Sequence, residues 1–120
     1  MLIISEQQLK AFASRRLDLF VEDMVTYVRG RHATVDTQAD DERLREIVRA
    51  RIVRAQVLGV TLRAHFKRYL DLSFTLGADF WREPWAAKTL ANADLVMAAR
   101  LHKLEHDAIF RARTAARAAG

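Results

Sequence analysis

The chain has 120 residues, a formal charge of +5 and no cysteine. That length supplies one ordinary hydrophobic core, and an apolar content of 51% excludes disorder driven by composition. The absence of cysteine excludes a disulfide scaffold, a thiolate zinc site and a cysteine nucleophile. One proline and four glycines are too few for the turns of an all-β domain.

The N-terminal residues Met1–Ile4 give way at once to Ser5 and Glu6, so a basic, apolar secretion signal is not expected, and the reading is cytoplasmic. Ser5 and Gln8 have capping-box spacing, with Ile4 and Leu9 placed as a hydrophobic staple. Ala13, Leu17, Phe20, Met24, Tyr27 and Val28 then recur on one helical face, which predicts a first helix over about 6–31. Residues 32–39 are a polar linker, and Thr37 or Asp40 is the expected cap of a second helix. Asp40, Asp41 and Glu42 suit the positive end of its dipole. Leu44, Ile47, Val48, Ile52, Ala55 and Leu58 form its stripe, and Gly59 is the expected glycine just past its end.

Thr61 is the expected cap of a third helix that carries Leu62, Phe66, Tyr69, Leu70, Ser73 and Phe74 and stops at Gly77. A short connection over 78–83 leads to Pro84, which suits the first position of a short helix bearing Trp85, Ala86 and Leu90. Asn92 or Asp94 would cap the last helix, with Leu95, Met97, Ala98, Leu101, Leu104 and Ala108, and its alanine- and arginine-rich end is expected to fray near Ala115. Amphipathic helices joined by short links predict an all-α, single-domain helical bundle over 1–120, with four long helices and one short one.

Candidate chemistry is sparse. His102, Glu105 and His106 spell H-x-x-E-H, whose i,i+4 histidines could share a metal. The only acid after His106 is the adjacent Asp107, so the distant third ligand of that zinc-peptidase class is lacking, and only an adventitious metal site remains open. His32 and His65 have no serine–acid pairing nearby, and no glycine-rich phosphate cradle exists. No metal, no cofactor and no catalysis are expected. Arg43, Arg45, Arg49, Arg51 and Arg54 punctuate the second helix. The pairs Glu42–Arg45, Glu46–Arg49 and Asp41–Arg45 at i,i+3 or i,i+4 predict a self-neutralised, solvated face.

The densest feature is Tyr69, Phe74, Phe80, Trp81 and Trp85, half of the chain's aromatic residues, next to Asp71, Asp79 and Arg82. These residues fit a core corner or a partner-binding patch, since Trp, Tyr and Arg dominate binding hot spots. The patch reading takes Tyr69, Asp79, Phe80, Trp81, Arg82 and Trp85, with Arg63, Lys67 and Arg68 on the flank of the third helix, as contacts for another protein. A basic balance also permits nucleic acid.

Leu58-Gly59-Val60-Thr61, Tyr69-Leu70-Asp71-Leu72, Leu76-Gly77-Ala78-Asp79-Phe80 and Pro84-Trp85-Ala86 make a pattern, preceded by Ile4-Ser5-Glu6-Gln7-Gln8 and by Phe20 and Met24. Over about residues 3–92 the chain resembles a family of small, all-helical bacterial proteins encoded near type VI secretion effectors and their adaptors. The acidic stretch common in that family is cut here to Trp81-Arg82-Glu83. The resemblance implies an accessory, co-chaperone or adaptor role beside an effector. An immunity protein that neutralises a secreted toxin is the alternative, and a basic nucleic-acid binder the one after it.

Overall fold

A computed structural model describes residues 6–33 and 38–119, with side chains over 14–33 and 38–117. The chain is all-α. The long helices are α1 (Glu6–Arg31), α2 (Asp41–Val57), α3 (Arg63–Leu76) and α5 (Met97–Ala119), and the short one is α4 (Pro84–Leu90). A 3-10 turn, Phe80–Arg82, lies between α3 and α4, and no strand occurs among the described residues. Two compact units divide between Ala50 and Arg51.

The first unit contains α1 and the start of α2. Val21, Met24, Val25 and Val28 on α1 and Leu44 and Val48 on α2 are buried. Met24, Val28, Leu44 and Val48 belong to the expected stripes, but the buried face of α1 is turned toward Val21 and Val25, and the expected Leu17, Phe20 and Tyr27 are half-buried. Asp40 caps α2: its carboxylate accepts the Arg43 amide at 2.8 Å, and its carbonyl accepts the Leu44 amide at 2.9 Å. The other expected cap, Thr37, and the capping box at Ser5 lie outside the described residues.

In the second unit α2 ends in a Schellman motif. The Gly59 amide donates to Gln56 and the Val60 amide to Ala55, both at 3.0 Å. Gly59 has φ +99°, a region that a side chain rarely adopts, and a Cβ there would also meet the Met97 methyl at 3.5 Å. Val60, just beyond, is buried and seals the motif. Helix α3 then starts one residue later than expected. Leu62, not Thr61, holds the cap position, with no side-chain cap, and the amides of His65 and Phe66 both donate to its carbonyl. Gly77, at φ +111°, ends α3. Pro84 opens α4.

The start of α5 corrects the expectation of a cap at Asn92 or Asp94. Asn92 accepts the Asp94 amide at 3.0 Å through its side chain, which builds a turn in the connection instead. Leu95 lies in that connection, and the first helical amides, Ala99 and Arg100, donate to Val96. The Arg100 side chain ties the join, donating to the carbonyls of Leu95 at 2.8 Å and Leu90 at 3.2 Å. Helix α5 runs to Ala119, in keeping with the high helix propensity of alanine and arginine. Within this unit α3 and α4 pack on α5, and the 3-10 turn packs on α3 and α4. Leu70, Phe80, Ala86, Leu101 and Leu104 fill the space between them.

Candidate functional site

The aromatic segment separates into a core part and a surface part. Tyr69 is 1% exposed and Phe80 2%, and their rings meet with centroids 5.2 Å apart. Both were expected as partner contacts; they are core. Phe80 is the first residue of the 3-10 turn, and this tight winding turns its ring inward and leaves its neighbour Trp81 half-buried at the surface. Burial pushes the Tyr69 hydroxyl up from 10.0 to about 12, a rise that the nearby Arg54 and Arg51 oppose and Asp79 assists. This hydroxyl is buried with no hydrogen-bond partner among the described residues.

Trp81 is the centre of the surface part. The Arg54 guanidinium, from the last turn of α2, lies 4.1 Å from its ring centroid, and that of Arg82 lies 5.2 Å away. Both are cation–π contacts, and neither arginine has a carboxylate partner among the described residues. Trp81 and Arg82 form one side of an open groove of about 620 Å³. The end of α2 supplies Val57 and Leu58, and α4 supplies Ala87 and Leu90. Val57 is 69% exposed, a large apolar side chain left to solvent at the mouth of an apolar groove.

The other expected contacts distribute differently. Trp85 is half-buried; its ring nitrogen donates to Glu83 at 2.7 Å, and Arg111 lies over its ring at 4.8 Å. Asp79 is exposed, and its carbonyl accepts the Arg82 amide, so it shapes the turn. On the flank of α3, Arg68 donates to Glu105 on α5 through two nitrogens, one at 3.0 Å. It is a strut between helices and not the open cation that was expected. The same pair engages the carboxylate of H-x-x-E-H, while His102 and His106 stay exposed. No group of three potential metal ligands occurs among the described residues. Arg63 is exposed and Lys67 half-buried on α3, and neither lines the groove.

Arg54, which lies over the Trp81 ring, and Val57, on the groove lining, escape the sequence argument. For Arg54 a signal exists: no acid stands at i±3 or i±4, and none occurs between Glu46 and Asp71. The self-neutralised face therefore has to stop before Arg51. The expected pairs also change partners. Arg45 reaches Glu22 and Arg49 reaches Asp18, both on α1, Asp41 holds Arg29 at 2.8 Å, and Arg43–Glu46 at 3.1 Å lies within α2.

No helix of the described residues is long and apolar enough to cross a membrane. The chain matches no protein-family model, no curated protein and no solved structure.

Proposed function

We propose that this chain is a non-catalytic protein–protein interaction module that works through the groove beside Trp81. One observation carries the proposal: a half-exposed tryptophan, held by two arginines that lack carboxylate partners among the described residues, forms the wall of an open apolar groove. Hot spots are enriched in tryptophan and arginine because both bring large contact areas and well-directed polar groups. The engagement of Glu105 by Arg68 further weakens the zinc-peptidase reading. The narrower role, a cytoplasmic accessory or adaptor protein for a type VI secretion effector, rests on the sequence resemblance alone.

The test is capture of partners from host extract on immobilised chain, with nuclease added, comparing wild type with Trp81→Ala. A stoichiometric protein retained by wild type and lost with Trp81→Ala is the expected result. Equal capture by both would sink the proposal, as would recovery of nucleic acid alone that disappears at high salt.

A further inference from the structure

We infer that the groove beside Trp81 receives an amphipathic helix of a partner protein whose apolar anchors are flanked by Asp or Glu. This rests on the interaction-module reading and adds the chemistry of the partner. Three features lead to it.

The first is the shape and lining of the groove. It is an open depression of about 620 Å³, and Leu58, Leu90 and Val57 give it an apolar floor and rim. Val57 and Leu58 lie where α2 ends, so the apolar surface continues past the groove mouth instead of closing over it.

The second is charge. Arg82 lines the groove and Arg54 sits on the ring that lines it, and both guanidiniums keep their hydrogen-bond donors free of carboxylates among the described residues. A guanidinium on a ring face is held in place while its edge remains able to take a carboxylate in bidentate fashion. Two such cations beside an apolar slot favour a ligand that is apolar at its centre and anionic at its edges, and they repel a basic one.

The third is the backbone of the walls. They are α2, α4 and the 3-10 turn, and no strand occurs among the described residues. Strand addition needs a free sheet edge, which these walls do not offer. With strand addition excluded, the occupant that suits an apolar slot between helices is an amphipathic helix, with anchors at i, i+3 or i+4 and i+7.

The experiment pans the full chain against a phage-displayed library of a stable helical scaffold, randomised on one face. Selected helices are then measured by fluorescence anisotropy against wild type, Arg82→Glu and Val57→Gln, two changes at exposed positions that leave the core untouched. Circular dichroism confirms folding of each. Selected faces should combine Leu, Phe or Trp with Asp or Glu. Arg82→Glu should weaken them by at least about tenfold and, when panned itself, should select Lys or Arg in their place. Val57→Gln should also weaken them.

The inference is overturned by selected faces without acidic enrichment, by binding indifferent to Arg82→Glu or Val57→Gln, or by a fluorescein-labelled single-stranded oligonucleotide outcompeting the helices with steep salt dependence. The two readings fail separately. If Trp81→Ala abolishes capture of the native partner but Arg82→Glu does not, the module stands and the acidic helix falls. If Trp81→Ala is also silent, the module falls with it.

Discussion

Two surface grooves among the described residues treat arginine in different ways. The one in the first unit, about 410 Å³, is lined by Arg45 and Arg49 together with their own partners Glu22 and Asp18. Two of its three arginines are closed by carboxylates within the unit, while Arg15, also on the lining, has no carboxylate partner among the described residues. The one in the second unit is lined by Trp81 and Arg82, and its arginines rest on aromatic rings. Arg51 over Phe74, at 4.1 Å, and Arg111 over Trp85 extend the habit. The division is not absolute, since Arg31 lies 5.8 Å from the Tyr27 ring centroid and Arg68 pairs with Glu105. What the contrast teaches is that a count of arginines says little about a surface. An arginine closed by a carboxylate is locally neutral, whereas one placed on a ring keeps its full charge and a donor edge.

Substitutions can break this contrast, starting with the largest expected effect. Arg51 is 7% exposed, stacks on Phe74 and lies 3.4 Å from the Ser73 hydroxyl. Arg51→Ala removes a buried, packed side chain and should cost about 3 kcal/mol in urea unfolding. Arg51→Met, which keeps the aliphatic packing and buries no charge, should recover much of that loss. A null result for Arg51→Ala would show that the ring-stacked arginines contribute nothing to the fold.

Trp81→Ala should cost about 2 kcal/mol in partner affinity, read by calorimetry, and less than about 1 kcal/mol in stability. The reverse ranking would make Trp81 a core residue. Tyr69→Phe should be neutral or stabilising by up to about 1 kcal/mol, because it removes a buried hydroxyl that has no partner among the described residues. It also carries a pH signature. Because the folded pKa is about 12 against an ordinary 10.0, the folded chain retains a proton that the unfolded chain releases between those values. That contribution is complete below about pH 10 and is lost as pH rises through about 12. Denaturation midpoints between those pH values should fall more steeply for wild type than for Tyr69→Phe.

The smallest effect belongs to the first groove. Arg49→Ala should cost under about 1 kcal/mol, and the difference should shrink in high salt, because Arg49 and Asp18 are both partly exposed, at 42% and 56% of the side chain. A loss that grows with salt would contradict the picture of a screened surface pair.

Most of the fold was legible because its signals are local. The span of α1, the Asp40 cap, Gly59 and Pro84 each follow from residues within a turn of where they act. The misplaced starts have a common cause. Thr61, Asn92 and Asp94 are good caps by type, but Val60 is drawn into the Schellman seal and Asn92 into a tighter turn. Backbone geometry set by the preceding helix then decides where the next one begins. The site was half legible. Trp81 and Arg82 stand in a visible cluster, but the sorting of Phe80 inward and Trp81 outward depends on a 3-10 turn that no periodicity announces. Arg54 and Val57 reach the site from a helix many residues earlier, and such proximity is a tertiary fact.

The last turns of α5 carry a consequence for how the molecule responds to heat. From Ile109 through Arg117 every side chain is exposed, Phe110 at 66% and Ile109 at 55%. Past the Arg111–Trp85 contact, helicity rests on alanine propensity and hydrogen bonds along the helix, such as Thr114 to the Phe110 carbonyl at 2.9 Å. A segment of that length is marginal as a free helix and unwinds by degrees. A thermal scan of ellipticity should therefore slope downward well before the cooperative transition, while near-ultraviolet signals from Trp81 and Trp85 stay level until the core gives way.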